Sequence, residues 1–299
     1  MQQEHLSFND LNEADQNILL QWKDHIRRAE HQTSQLESQI ENLSPNEATF
    51  HIDFKENFNI GMNRDQKSQS FFTKAPVTCL TAVVHKGKPR HLIQKKVITL
   101  LSPILTHNCS FTLLAVQKMF ESEFMKDIDQ VHWWSDGGPH FRNKQLIWAL
   151  LNEEDILIPG TNFEVNFTVP YHGKGAPDGI FGMYITGLRN NMPKEGINSI
   201  EALQRELKLL TEHQALVYND PERDHEILIF NVDRFNEEED QLVINDFRKF
   251  LNFVQGDNEI LAKPLTGIAD AGERSFQMKS TVKQVKRTPK RSTALIKDE

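Results

Sequence analysis

The stretch 131-VHWWSDGGPHFRNKQLIWALL-151 decides the fold, because its hydrophobic pattern changes on either side of a glycine turn. The opening VHWW has the aromatic and β-branched character of a buried strand. The following SDGGP contains the residues that most often end a strand in a turn. Apolar residues then recur at helical spacing from Phe141 to Leu151. The stretch therefore predicts a strand, a tight turn and a helix, with the carboxylate of Asp136 at the end of the strand.

Patterns on both sides extend this unit into a series of strands and helices. Three consecutive strands predict a meander, and strands separated by helices should lie parallel to the first one. We therefore predict an α/β fold with a mixed sheet flanked by helices, in which the strand at 49–55 lies next to the strand at 131–136. The predicted elements are a helix over 10–43, strands over 49–61, 69–85 and 91–101, a helix over 107–126, strands over 131–136 and 163–170, a helix over 198–214, a strand over 225–232 and a helix around 238–254.

The chain divides into four predicted segments: an N-terminal helical segment (1–48), a core (49–215), a C-terminal α/β extension (216–270) and a basic tail (271–299). The tail is polar and is predicted to be disordered. The N-terminal helix has apolar residues at spacings of mostly three or four, which suits packing on the body or pairing with another chain. A homo-oligomer formed through this helix is therefore one expectation. Contact with DNA is the remaining alternative for this helix.

Charge is spread unevenly along the chain. The net charge is −8, and residues 279–299 hold seven Lys or Arg against two acids, a surplus of five positive charges. The remaining residues therefore carry a net charge of −13. An acidic body is a poor partner for nucleic-acid phosphates, so any DNA contact is expected to depend on the tail and on local basic groups. The segment 283–291 also has the composition of a nuclear-import signal.

Composition argues against several other classes of protein. No run of eighteen apolar residues is present, so no membrane span is expected. The first residues have neither the basic start nor the apolar core of a signal peptide. Two cysteines are too few for a disulfide framework, and no Cys/His cluster suggests structural zinc. His107, His132 and His140 show no metal-ligand spacing. We expect an intracellular, soluble protein.

Three aspartates occupy places where a metal ion could bind. Asp53 is centred in the first strand, Asp136 ends the fourth, and Asp178 follows the glycine turn in 171-YHGKGAPDGIFG-182. If the first and fourth strands are neighbours, Asp53 and Asp136 converge, and Asp178 could reach the same point. Clustered carboxylates repel unless a hard cation such as Mg²⁺ or Mn²⁺ lies between them. Two such ions can activate water and stabilise the leaving oxygen in an attack on phosphate.

Each aspartate also has a simpler interpretation. Asp53 could face solvent, as the alternation of a strand allows. Asp136 and Asp178 both lie beside glycine and proline, where aspartate is a common turn residue. Possible replacements for Asp178 as the third acid are Glu164, Glu195 and Glu206.

Three strings around these aspartates resemble a known family. They are DFKEN at 53–57, WSDGGPHFRNK at 134–144 and HGKGAPDGIFG at 172–182. They are similar to the DFxEN, SDGxxxxFKN and HGKGxxDGxGG patterns of a eukaryotic transposase-derived group in the DDE/D transposase and retroviral integrase superfamily. The resemblance covers roughly residues 49–190. The sequence departs from it at Phe181, where the group has a glycine, and it shows no zinc or helix-turn-helix module for finding transposon ends.

The resemblance implies a ribonuclease H-like core and DNA strand cleavage and transfer that depend on Mg²⁺ (or Mn²⁺), in the nucleus. It also implies metal binding and catalysis by Asp53, Asp136 and Asp178. The family's flanking groups match Asn57, His140, Phe141, Asn143, His172, Gly173 and Lys174. Together with nearby basic groups, the residues expected to contact a DNA strand are His140, Arg142, Asn143, Lys144, His172, Lys174 and Arg189.

A second hypothesis is a domesticated, catalytically silent protein that binds DNA or protein and has a host regulatory or DNA-rearrangement role. The acidic body and the lack of a recognisable end-binding module favour it. Three intact acids oppose it, because a binding module has no use for a costly cluster of carboxylates.

Overall fold

The computed structural model of the chain describes residues 8, 11–61, 74–152, 157–172, 175–232, 244–256, 259–268 and 272–277. Within these ranges there are five α-helices: Glu13–Glu41 (α1), Cys109–Phe120 (α2), Lys144–Leu151 (α3), Ala176–Asn190 (α4) and Ile200–Tyr218 (α5). There are nine strands: Glu47–Ile60 (β1), Ala75–Lys88 (β2), Leu92–Ser102 (β3), Gln130–Ser135 (β4), Asn162–Phe167 (β5), Glu226–Ile229 (β6), Asn252–Gly256 (β7), Glu259–Lys263 (β8) and Arg274–Gln277 (β9). None of the described helices has the length and apolar character needed to cross a membrane.

All nine strands belong to one mixed sheet, in the order β6-β3-β2-β1-β4-β5-β7-β8-β9. β1, β2 and β3 form an antiparallel meander. β4 lies beside β1 and parallel to it, and β5 is parallel to β4. The strand at 49–55 is therefore the neighbour of the strand at 131–136. The predicted α/β fold, a mixed sheet flanked by helices, is confirmed.

Helices cover both faces of the sheet and bury two separate cores. On the first face, α2 and α3 pack on β1, β4 and β5, and Phe50 and Trp133 are completely enclosed there. On the second face, α4 and α5 pack on β1, β2 and β3 around Tyr184 and Leu207. Full burial of an apolar side chain contributes about 1.5–3 kcal/mol, so these two cores hold the strands in a fixed register.

The N-terminal helix α1 is fastened to the second face of the sheet by polar contacts. The indole nitrogen of Trp134, in β4, donates a hydrogen bond to the side chain of Gln39 at 2.7 Å. The amide of Gln32 donates to the backbone oxygen of Phe167 at 2.9 Å and to the hydroxyl of Thr266 at 3.1 Å. Packing on the body, one of the alternatives expected for this helix, is therefore observed for its C-terminal half.

The predicted helix around 238–254 is wrong over the residues that the structure describes. Residues 244–256 instead contain a short 3-10 turn at Phe247–Lys249 and the strand β7. β7 pairs antiparallel with β5, and Phe253 is fully buried. This pairing satisfies backbone groups that would otherwise be left open at the edge of β5, and it outweighs the local helical pattern. Residues 238–243 lie outside the described ranges.

The predicted disorder of the tail is wrong at Arg274–Gln277. These residues form β9 and pair antiparallel with β8. Phe276 packs against the larger core and gives this short strand an apolar anchor. The rest of the tail, 278–299, lies outside the described residues, and so does the nuclear-import prediction at 283–291.

Candidate metal centre

The pairing of β1 with β4 brings Asp53 and Asp136 to the same level of the sheet. The two strands are parallel, and His51 is aligned with Trp134 in their last registered pair. Asp53 and Asp136 each follow two residues later, so they lie on the same face just beyond this pair. Asp136 comes directly after β4, whereas β1 continues past Asp53 and pairs there with β2.

The turn after β4 fixes the carboxylate of Asp136. Its Oδ1 atom accepts a hydrogen bond from the backbone N–H of Gly138 at 2.9 Å, so the turn-forming role that the sequence allowed is present. A Cβ atom on Gly138 would lie 2.9 Å from the same oxygen and 2.7 Å from Cε1 of His140. A side chain at this position would have to displace the carboxylate of Asp136 or the imidazole of His140.

The N-terminus of α4 brings Asp178 to the same place from outside the sheet. Its Oδ2 atom accepts a hydrogen bond from the backbone N–H of Gly175, the N-cap residue of α4, at 2.9 Å. Gly175 lies against the buried ring of His51 in β1, and a Cβ atom there would be 2.3 Å from Cε1 of that ring. The missing side chain lets the helix begin close to the sheet and near Asp53.

One open cavity of about 630 Å³ is lined by all three aspartates. Burial, and then the negative charges of Asp136 and Asp178, raise the pKa of Asp53 from 3.8 to about 7. Burial has the larger effect, and the repulsion by the two neighbouring carboxylates adds to it. The other lining residues are Gly137, Gly138, Pro139, Thr168, Val169, Pro170 and Tyr171.

His140 adds a nitrogen donor to the two acids of the sheet. One ring nitrogen of His140 and one carboxylate oxygen each of Asp53 and Asp136 lie within 4.8 Å of one another. The Nε2 atom is 3.7 Å from Oδ1 of Asp136, too far for a hydrogen bond. No metal-ligand role was predicted for His140, because only the conformation of the glycine turn brings residues four apart to one point. The order Asp–Gly–Gly–Pro–His was the one feature of the sequence that could have indicated that His140 lies beside Asp136.

Two residues expected to contact DNA also make hydrogen bonds within the protein. The guanidinium of Arg142 donates to the backbone oxygens of Arg248 at 2.7 Å and Phe250 at 2.8 Å. Burial lowers its pKa to about 10, so it remains charged at neutral pH. Asn143 is the N-cap of α3 and accepts a hydrogen bond from the backbone N–H of Leu146 at 2.8 Å. Lys144, the first residue of α3, is half-buried.

The remaining residues expected to contact DNA lie at different distances from the cavity. The ring of His172 lies 4.9 Å from the ring of His25 in α1, at the segment that precedes α4. Lys174 lies outside the described residues. Arg189 is exposed in the last turn of α4. It follows Asp178 by eleven residues, about 16 Å along the helix axis. The structure therefore does not bring Arg189 to the three aspartates.

The proposed replacements for the third aspartate are engaged elsewhere. Glu164 accepts hydrogen bonds from Gln39 at 3.0 Å and from Asn252 at 2.6 Å, in the polar network beneath α1. Glu206 forms an ion pair with its neighbour on α5. The lining described for the aspartate cavity contains neither of them, nor Glu195. Asp178 is therefore the third acid that the geometry brings closest to the pair.

Comparison with known proteins gives one match. The model of a family described as Domain of unknown function (DUF8701) matches residues 32–215. This region begins within α1, ends within α5 and contains all three aspartates. No curated protein and no solved structure matches the chain.

Proposed function

The chain belongs to the DUF8701 family, and we propose that it is a transposase-derived nuclear protein that cleaves and transfers DNA strands with Mg²⁺ or Mn²⁺. The observation that carries this proposal is the cavity in which carboxyl groups from β1, β4 and α4 meet. The resemblance of the strings around the same three acids supports DNA strand transfer as the class of reaction.

The electrostatics of the cavity support the proposed metal. A pKa of about 7 at Asp53 means that the ionised cluster is costly at neutral pH. A divalent ion between the carboxylates removes this cost, and oxygen ligands suit Mg²⁺ and Mn²⁺. If the carboxylates had only a structural role, apolar side chains could take their place with little loss of stability. The donor set therefore fits a divalent ion.

The residues around the centre have separate tasks. Asp53 and Asp136 bind the ion from the sheet, and Asp178 faces it from the N-terminus of α4. Gly137 and Gly138 leave the wall of the cavity free of side chains, so a phosphate group can approach the backbone closely. When bound, the ion supplies the activation of water and the stabilisation of the leaving oxygen.

Tyr171 supports a nucleic-acid substrate. It lines the same cavity, its side chain is 99% exposed, and its backbone has a φ of 67°. A tyrosine in this left-handed region is uncommon and costs free energy. A free aromatic face next to a phosphate site offers a stacking platform for a base, which is worth about 1–3 kcal/mol. We assign Tyr171 this role beside the scissile phosphate.

A second candidate function is binding of DNA or protein without cleavage. The net charge of −13 outside the basic tail favours it, because phosphate contacts supply most of the affinity for DNA. The two functions differ in whether the metal centre is used.

Nicking of a supercoiled plasmid tests the proposal without knowledge of a target sequence. The full chain should nick the plasmid with Mg²⁺ or Mn²⁺ and not with a chelator. Asp53→Asn and Asp136→Asn should lower the rate by at least about a hundredfold, the scale seen when one electrostatic stabiliser of a transition state is lost. Asp129→Asn is the matched control, because this exposed acid precedes the other end of β4.

The outcomes separate the two candidate functions. If the chain binds the plasmid but does not nick it with either Mg²⁺ or Mn²⁺, the result supports the second function, binding without cleavage. Nicking by Asp53→Asn or Asp136→Asn at the parent rate rules out the proposed centre, even if the parent is active.

A further inference from the structure

We propose that His140 is a third protein ligand of the ion held by Asp53 and Asp136, and that the centre therefore prefers Mn²⁺ to Mg²⁺. This inference rests on the proposed function, since it concerns the same centre. The inference goes beyond the proposed function, because it assigns a nitrogen ligand and a metal preference to the centre.

The distances suit a shared ion. Two ligand atoms that are each about 2.1 Å from one ion are separated by about 3.0 to 4.2 Å. Nε2 of His140 lies 3.7 Å from Oδ1 of Asp136, inside this range. The whole set with Asp53 lies within 4.8 Å, so a shift of a few tenths of an ångström closes it around an ion.

The ring nitrogen of His140 lacks a partner that the described protein could supply. Nε2 is a buried atom without a hydrogen bond among the described residues. A buried polar atom left in this way destabilises the folded protein, and a metal ion at this point would satisfy it.

Two aromatic rings pack against the imidazole and restrict its position. Its edge meets the ring of Phe54 at 5.0 Å and the ring of Phe141 at 4.5 Å between centroids. Its backbone oxygen accepts a hydrogen bond from the side chain of Asn143 at 3.3 Å. Gly138 leaves the space between the imidazole and the carboxylate of Asp136 open. A ligand fixed before the ion binds loses little freedom on binding.

The donor set decides between the two candidate ions. Mg²⁺ takes oxygen ligands almost exclusively and keeps several waters. First-row transition ions such as Mn²⁺ accept imidazole as well as carboxylate. Two carboxylates with one imidazole therefore favour Mn²⁺, whereas the three aspartates alone would not discriminate in this way.

Direct metal binding to the full chain tests the assignment without any activity measurement. Protein labelled with ¹⁵N at histidine is loaded with Mn²⁺, and electron–nuclear double resonance detects whether a nitrogen is bound to the ion. The parent should show nitrogen coupling, His140→Gln should lose it, and His213→Gln should keep it. His213 is an exposed histidine of α5 and serves as the matched control. The parent spectrum needs no variant, so the test stands even if His140→Gln fails to fold.

Calorimetric titration adds the metal preference. Loss of a residue that only supports a metal ligand lowers metal affinity by about 10- to 100-fold. His140→Gln should therefore lower Mn²⁺ affinity by at least about tenfold. It should lower Mg²⁺ affinity by less than about threefold. Mn²⁺ bound without nitrogen coupling overturns the role of His140 and leaves the three-aspartate centre standing. Failure of the parent to bind either ion overturns the centre itself.

Discussion

The carboxyl group of Asp53 lies where burial and two neighbouring acids all oppose its ionisation. These effects raise its pKa from 3.8 to about 7. Between these values the folded protein keeps a proton that the unfolded chain releases, so stability falls as the pH rises. At about 1.4 kcal/mol per pKa unit, the complete shift corresponds to roughly 4 kcal/mol at most above pH 7. The buried carboxyl group of Asp53 therefore lowers the folding stability of the metal-free protein.

Replacing Asp53 by asparagine should stabilise the metal-free protein, because the charge is removed and the shape is kept. In a chelator at pH 8, Asp53→Asn should unfold at a higher urea concentration than the parent. The difference should vanish below about pH 4, where Asp53 is protonated in both folded and unfolded states. Added Mg²⁺ should reduce it, because the ion stabilises the parent more. Equal midpoints at pH 8, or the same gain in Asp129→Asn, would contradict this prediction.

Arg142 is predicted to act on stability, not on DNA. Its guanidinium ties the loop after β4 to two backbone oxygens beside β7. Hydrogen bonds from a charged group contribute about 1.5–3 kcal/mol each, so loss of both in Arg142→Ala should lower the free energy of unfolding by about 3–6 kcal/mol. Lys144→Ala removes a positive charge two residues away and should change it by less than about 0.5 kcal/mol. Urea unfolding measures both variants.

The opposite result would restore the role expected from the sequence. If Arg142→Ala unfolds like the parent and binds DNA more weakly, then Arg142 guides the strand. Its hydrogen bonds to the carbonyl groups would then be incidental.

Among the elements, α1 differs between its two halves. Ala29 and Gln32 in the C-terminal half are buried against the body. In the N-terminal half, Ile18 is 63% exposed and Trp22 is 58% exposed. These two residues are four apart and lie on one helical face. The exposed face suits the pairing between chains that the sequence also allowed.

We predict that this exposed face forms a contact between two copies of the chain. The double substitution Ile18→Lys and Trp22→Lys should convert an oligomer into a monomer, because it places charge in an apolar contact. Light scattering after size exclusion measures the change in mass. The free energy of unfolding of the monomer should change by less than about 0.5 kcal/mol, since the positions are on the surface. A parent that is monomeric at tens of micromolar would show that the face has another use.

A control within the same helix separates pairing from folding. Gln32→Ala removes hydrogen bonds to Phe167 and Thr266 and leaves buried groups unpaired. It should lower stability by about 1–3 kcal/mol and leave the mass of the assembly unchanged.

At the scale of the whole molecule, local sequence patterns predicted the features that depend on residues close in sequence or on adjacent strands. Strand alternation and strand order were enough to place Asp53 beside Asp136. The position of His140 depends on the conformation of a turn, and that of Arg142 on carbonyl groups more than a hundred residues away. Residues 244–256 carry a pattern that suits a helix, yet β5 offers an open edge that β7 occupies. Such long-range contacts cannot be predicted from the local periodicity of apolar residues.

The distribution of charge over the whole chain leads to the last prediction. Removal of residues 278–299 keeps β9 and takes away seven basic and two acidic groups, which leaves a net charge of −13. Each phosphate contact contributes about 0.9 to the slope of log affinity against log salt, so loss of the tail should flatten the slope by up to about 6 and weaken binding to duplex DNA. A full-length chain with the five Lys and Arg of 283–291 changed to Gln should behave similarly, because charge and not length drives the effect. Fluorescence anisotropy between 50 and 200 mM salt, about the range over which such contacts are lost, measures the slopes. If both variants bind with the parent's affinity and slope, the DNA contacts lie on the body, and the basic tail has another role such as nuclear import.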